Sequence, residues 1–282
     1  MTRYRATLAY DGTDYHGFQR QAAEHEPTVQ GQVEQALAKI GQPGVTVVGS
    51  GRTDAGVHAA GQVIAFEVEW RHTLADLQRA LNATLPADIA VLEMAEAPPD
   101  FHPRYSASSR EYVYTIYTAP VRHPLYRRYA LHVAEPLDVA AMDAAVARLV
   151  GEHDFAAFGL PTVGESTVRR MVRAGCRREA QPPMQAEQFM RVELEANGFL
   201  YRMVRSIVGT LLVVGRGAMT PQRFCDVFQS RDRSRAGPPA PPHGLCLMRV
   251  NYRVPGGPSE NHAKGPEARR SEGIDREYNT CN

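Results

Sequence analysis

Gln62-Val63-Ile64-Ala65-Phe66-Glu67-Val68-Glu69-Trp70 places Ile64, Phe66, Val68 and Trp70 at every second position. Period two is the repeat of a half-buried strand. Three residues on, Thr73 stands before Leu74, Leu77 and Leu81 at helical spacing, with Asp76 placed to close a short-armed capping box. A strand therefore runs into a capped helix, and the same grammar extends both ways. Upstream, residues 3–10 read as a strand ended by the turn Asp11-Gly12-Thr13-Asp14. Thr28 caps a helix carrying Val29, Val33, Ala36, Leu37 and Ile40, and residues 45–48 form a short strand. Downstream, residues 89–97 are another strand. The order is β-α-β-β-α-β.

The second half repeats that order. Residues 105–117 read as a long strand; Val139, Met142, Val146 and Leu149 mark a helix ending at Gly151. His153-Asp154-Phe155 reads as a helix end with its cap. Residues 168–178 and 189–196 are two strands, 201–214 an apolar helix, Thr220 the cap of a further helix through Phe228, and 245–252 the closing strand. The expected fold is α+β: two ferredoxin-like (RRM-like) halves with mainly antiparallel sheets and a cleft between them. Helices would cover one face of each sheet, leaving the other face or the seam for a ligand. The halves are 1–103 and 104–254, with a hinge near residues 98–103. Residues 237–242, with four prolines, read as a stiff surface connection. Residues 255–282, rich in Gly, Pro, Ser and charge, read as a disordered tail.

The 282 residues are 43% hydrophobic and carry a net charge of +1. No run of 18 apolar residues spans a membrane, and residues 1–10 lack the apolar core of a signal peptide. Cys176, Cys225, Cys246 and Cys281 show no CxxC spacing and read as reduced thiols of a cytoplasmic protein. Lys39 and Lys264 are the only lysines among 32 basic residues. A GC-rich genome produces that bias too, but placement points further. Residues 102–128 hold five arginines, five tyrosines and one acid; 169–178 hold five arginines and no acid; 197–224 hold four and no acid. Guanidinium groups grip phosphates and aromatic rings stack on splayed bases, so a near-neutral total can hide an RNA-binding face.

The segment Gly49-Ser50-Gly51-Arg52-Thr53-Asp54-Ala55-Gly56-Val57-His58 packs three glycines, an arginine, an aspartate and a histidine between two strands. It is neither a P-loop, which needs GxxxxGK[ST], nor a GxSxG elbow. From spacing alone two readings stand: a long turn in which Asp54 is a local cap, or a ligand loop presenting a carboxylate.

The chain resembles the tRNA pseudouridine synthase A family over roughly residues 3–253. The strongest block is Gly51-Arg52-Thr53-Asp54-Ala55-Gly56-Val57-His58-Ala59. Tyr10-Asp11-Gly12, Tyr15-His16-Gly17-Phe18-Gln19, Leu81-Asn82-Ala83-Thr84-Leu85-Pro86, Phe101-His102-Pro103-Arg104, Ser109-Arg110-Glu111-Tyr112-Val113-Tyr114 and Tyr201-Arg202-Met203-Val204-Arg205 support it. Phe18 stands where tryptophan is usual, and Gly31 where an acidic residue often completes the helix cap. The resemblance implies an isomerase converting uridine to pseudouridine in the tRNA anticodon stem-loop, at positions 38, 39 and 40. It implies no cofactor and a homodimer, and the sequence shows no ligand cluster that would call for a metal. It casts Asp54 as the catalytic carboxylate, nucleophile or base, and Arg205 as the cation beside it. Tyr112 would lie against the target base, and Arg52 would replace the flipped base in the stack or hold phosphate. His58 would be structural or contact RNA.

Two other classes compete. A non-catalytic RNA-binding protein with two RRM-like halves would need RNP-type aromatics, which residues 110–117 imitate weakly. An aspartate-nucleophile phosphotransferase would need a second carboxylate beside Asp54 and a Mg²⁺ site, and no DxD is present.

Overall fold

The computed structural model describes residues 1–22, 26–161, 164, 166–179 and 189–253; the expected tail, 255–282, lies outside them. In chain order the elements are β1 (Thr2–Tyr10), α1 (Val29–Lys39), β2 (Val48–Gly49), β3 (His58–Val68), α2 (Leu74–Thr84), β4 (Ile89–Glu96) and β5 (Ala107–Thr118). There follow β6 (Leu131–Val133), α3 (Val139–Val146), β7 (Gly151–Asp154), β8 (Val168–Arg178), β9 (Phe189–Ala196), α4 (Met203–Gly215), α5 (Pro221–Gln229) and β10 (Leu245–Tyr252).

Threonines start three helices where the sequence reading put them. Thr28 accepts from the Gly31 N–H, Thr220 from the Arg223 N–H, and Thr73 forms a complete capping box with Asp76. At α1 the carboxylate missing from position 31 is replaced from upstream: Glu26 accepts the Thr28 N–H at 2.8 Å.

All ten strands join one sheet. Its main path is β4-β1-β3-β10-β5-β9-β8-β7, with β2 on β3 and β6 on β5. In the first half β1 lies between β4 and β3, and in the second β5 lies between β10 and β9, the ferredoxin-like order once the short β6 and β7 are set aside. The halves meet where β10 runs parallel to β3 through Cys246↔His58 and Leu247↔Ala59. Their backbones come close there, since a Cβ on Gly61 would lie 2.3 Å from the Met248 carbonyl oxygen.

Burial alternates along β1, where Tyr4, Ala6, Leu8 and Tyr10 are core residues, but β3 is buried on both faces from Gln62 to Phe66 rather than half-buried as its period-two pattern suggested. On β5, Tyr112, Tyr114 and Ile116 are buried on the side of the helices. The opposite face carries a charge ladder. Arg173 lies 3.3 Å from both Glu111 and Glu193, and Arg177 lies 2.7 Å from Glu193. Within the arginine run 169–178, read as suited to RNA, Arg173 and Arg177 are therefore paired with glutamates distant in sequence, whereas Arg169 donates to the Ser166 and Val168 carbonyls instead.

Three further expectations change. Residues 151–154 are a strand rather than a helix end, because they pair antiparallel with residues 168–171 of β8. β3 starts at His58 rather than Gln62. The proline segment 237–242 does not simply cross the surface. Ala240 is buried, and a Cβ on Gly209 of α4 would lie 1.9 Å from the Pro238 carbonyl oxygen, so this glycine admits the segment. Cys176 and Cys246 are free thiols, as expected, and Cys281 lies outside the described residues. No helix among the described residues is long and apolar enough to cross a membrane.

Candidate active site

The loop 50–57 hangs between β2 and β3 and is braced from three sides. From below, Thr53 Oγ1 lies 2.8 Å from the Tyr10 hydroxyl, and Gln62 Nε2 donates to the Gly51 carbonyl at 2.9 Å while its Oε1 accepts from Ser50 Oγ at 2.5 Å. Tyr10 and Gln62 are buried, and burial pushes the Tyr10 phenol well above its ordinary pKa. From the side, the Phe18 N–H donates to the Thr53 carbonyl at 3.1 Å. Gly17, at φ 100°, passes so close that a Cβ would lie 2.7 Å from that same oxygen. Phe18 fills the space over Gly49, whose Cβ would meet its ring at 2.3 Å. The Val57 N–H closes a turn onto the Asp54 carbonyl at 3.1 Å.

That turn uses the Asp54 backbone and leaves the side chain for a distant partner. Asp54 Oδ2 accepts from Arg205 Nη1 at 2.9 Å, and no hydrogen bond links the carboxylate to its own loop among the described residues. The local-cap reading of Asp54 therefore fails. Arg205 comes from the first turns of α4, a helix otherwise almost wholly buried. Its Nε donates to the Ala240 carbonyl at 2.7 Å, and its own carbonyl accepts the Ala240 N–H at 2.9 Å. The proline segment thus fixes the guanidinium before it reaches the aspartate. Both side chains are partly screened, at 13% exposure for Arg205 and 24% for Asp54.

The pair sits in a cleft of about 930 Å³ at the seam of the halves, on the helix side of the sheet. Among the described residues lining it are seven arginines, namely Arg20, Arg52, Arg104, Arg110, Arg169, Arg202 and Arg205, and a single acid, Asp54. Tyr112 lies in its wall at 9% exposure, edge-on to Phe199 at 5.1 Å between ring centres. Burial raises the Tyr112 pKa well beyond the normal phenol value, with Tyr10 and Asp54 adding to the effect against Arg110. Arg52 is exposed and forms no ion pair or hydrogen bond among the described residues, so its side chain is available to a ligand. Tyr105 and Tyr201 stand exposed on the rim, each with the guanidinium of its sequence neighbour over the ring, Arg104 at 5.9 Å and Arg202 at 4.9 Å.

Asp54, Arg52, Tyr112 and Arg205, drawn from both halves, all line this one cleft. His58 does not: it is 5% exposed and faces away. The Gly12 N–H donates to its Nδ1 at 3.0 Å, Asp11 Oδ1 lies 3.1 Å from the same nitrogen, and Nε2 lies 2.7 Å from the Arg128 carbonyl. All of these partners are groups of the protein itself. Sequence reasoning missed Gln62, Tyr10 and the Ala240 carbonyl. Only Tyr10 left a signal, since period two from Tyr4 carries it to the buried face.

The sequence profile of a family described as tRNA pseudouridine synthase matches residues 6–106 and 145–253. A Moorella thermoacetica protein named tRNA pseudouridine synthase A is 46% identical over 252 residues, covering 89% of this chain and all of the relative. Proteins of the same name from Chloroflexus aurantiacus and Shouchella clausii are 49% and 42% identical over 246 and 256 residues. They cover 87% and 90% of this chain, and 87% and 95% of their own lengths.

Proposed function

The chain belongs to the tRNA pseudouridine synthase family, and from that premise we propose that Asp54 is the carboxylate with which it isomerises uridine in tRNA. The reaction breaks the N1–C1′ bond, turns the base and joins C5 to C1′; C5 gives up its proton and N1 gains one. Composition is unchanged, so no donor group or oxidant is consumed. The observation that carries the assignment is that Asp54, alone among seven arginines, presents its carboxylate in the cleft with Oδ2 held 2.9 Å from Arg205. Oδ2 is occupied by the guanidinium, so Oδ1 is the atom left for the ribose, as nucleophile or as base.

The remaining roles follow from what surrounds that atom. Residues 1–103 supply the Asp54 loop, and residues 104–254 supply Tyr112 and Arg205. Tyr112 packs on the uracil and, as a neutral phenol, offers an O–H at its edge. Arg52 enters the space left by the flipped base and offsets part of the few kcal/mol that unstacking costs. Tyr105 and Tyr201, each paired with an arginine, suit neighbouring bases and phosphates. The substrate is the anticodon stem-loop, at positions 38, 39 and 40. The enzyme works in the cytoplasm as a homodimer. An RNA-binding protein without catalysis would have no use for a carboxylate in an arginine-lined cleft, where it repels phosphate.

The deciding experiment maps pseudouridine in an unmodified tRNA transcript after incubation with wild type and with Asp54→Asn. Formation at anticodon stem-loop uridines by wild type, with none by the variant, is the expected result. Equal formation by both would remove Asp54 from the reaction.

A further inference from the structure

Arg110 lies on β5, two residues before Tyr112, and faces the cleft. Its guanidinium holds three backbone carbonyls at once. Nη1 donates to Asn197 at 2.8 Å, and Nη2 donates to Ser50 at 3.0 Å and to Arg104 at 2.5 Å. These carbonyls come from different parts of the chain. Ser50 opens the loop that bears Asp54, Asn197 lies in the turn from β9 into α4, and Arg104 directly follows the expected hinge. Arg110 forms no ion pair among the described residues, and burial presses its pKa down, so the arrangement carries an electrostatic cost. A group kept there despite that cost is held by its geometry. A planar fork with five donors can span three acceptors in fixed directions, which a lysine ammonium cannot do.

We infer that Arg110 is a positioning residue. By tying the Ser50 carbonyl to the Asn197 carbonyl it sets the loop carrying Asp54 against the turn leading to Arg205, and so fixes where the carboxylate stands in the cleft. The inference rests on the proposed role of Asp54. Ser50 is gripped from the other side by Gln62, whose amide bonds both the Ser50 hydroxyl and the Gly51 carbonyl. The loop is therefore clamped between a buried amide below and Arg110 beside it. Loss of either grip would let Asp54 move relative to the ribose, and a misplacement of about 1 Å costs on the order of 100-fold in rate.

The test compares Arg110→Gln and Arg110→Lys with wild type, by single-turnover isomerisation of saturated tRNA and by tRNA affinity at several salt concentrations. Asp54→Asn runs alongside. The expected result is a rate lower by about 100-fold in both Arg110 variants. Affinity should change less than about twofold, with an unchanged salt slope. Lysine should fail to rescue although it keeps the charge. Hydrogen exchange should rise in both 50–57 and 197–202. If Arg110→Gln does not fold, Arg110→Lys, which keeps the stem and the charge, decides by the same readings. A variant of wild-type rate, or a rescue by lysine in which Arg110→Gln weakens affinity and flattens the salt slope by about one, would show a phosphate contact and overturn the inference. If Asp54→Asn is inactive while the Arg110 variants are normal, this inference alone falls. If Asp54→Asn is active, the assignment of Asp54 falls and the inference with it.

Discussion

Asp54 and Arg205 lie 151 residues apart in sequence and meet at 2.9 Å across the seam where β3 and β10 run side by side. Arg205 is the more constrained partner, since Ala240 accepts from its Nε at 2.7 Å. Arg205→Met keeps the aliphatic stem and deletes both bonds. The pair is neither fully buried nor at the surface, so the loss of stability should be about 1–3 kcal/mol. Isomerisation at saturating tRNA should fall by about 100-fold or more. Urea denaturation and a single-turnover assay on the same preparation separate the two effects. A folded variant with wild-type rate would break the link between the pair and the reaction.

Asp54→Asn is nearly isosteric and leaves the Arg205–Ala240 bond untouched. Turnover should disappear while tRNA affinity stays the same or improves, because the single acid among the cleft's described residues is gone. Filter binding and pseudouridine mapping measure the two quantities. An affinity loss beyond about tenfold would mean that the loop had collapsed, and the activity result would then say nothing of chemistry.

Tyr112 gives a prediction about pH. Burial holds its phenol protonated well above the usual range, so no ionisation belonging to it should appear in the wild-type rate between about pH 7 and 10. Tyr112→Phe keeps the ring against Phe199 and should keep tRNA affinity. If the O–H serves the proton at C5, the rate falls by about 100-fold at every pH, with the profile unchanged in shape. A wild-type rate that climbs through an ionisation near pH 9, lost in Tyr112→Phe, would instead assign Tyr112 the role of a phenolate.

What could be read from the chain, and what could not, divides by distance along it. Threonine caps, strand alternation and the glycine loop are local patterns, and each sits where the sequence reading put it to within a few residues. The ferredoxin-like order followed from their succession. The sheet as one piece did not, because two residue pairs between β3 and β10 create it. His153 and Asp154 read as a helix end, yet a ladder to β8 makes them strand. Arg173 and Arg177 read as an RNA surface until Glu111 and Glu193 arrive from other strands. Gln62 looked like the first residue of an alternating run, and nothing near it in sequence announces that its amide holds Ser50 and Gly51. Asp54 itself was singled out by the family block, and its spacing alone would not have excluded a turn cap.

The last prediction concerns Asp11, which ties β1 to the segment bearing Arg128 and Tyr129. Burial by itself would raise its pKa, but hydrogen bonds from the Thr13 hydroxyl and N–H and from the Tyr129 hydroxyl outweigh it and bring it to about 2. The ordinary value is 3.8. A carboxylate whose folded pKa is depressed stabilises the fold at pH values above the unfolded pKa. That stabilisation drains away as pH falls from about 4 through about 2, and below that both states are protonated. After allowing for solvent screening it is on the order of 1–2 kcal/mol. Asp11→Asn should therefore be less stable than wild type by that amount at pH 7, with the gap narrowing steadily below pH 4. Urea unfolding of both proteins at pH 7, 4 and 3 checks it. The variant should also loosen Tyr129, whose ring lies 5.2 Å from His58, and so raise hydrogen exchange around residues 126–130. A stability gap that stays constant down to pH 3 would mean that Asp11 acts through shape and neutral hydrogen bonds, and that its charge contributes nothing.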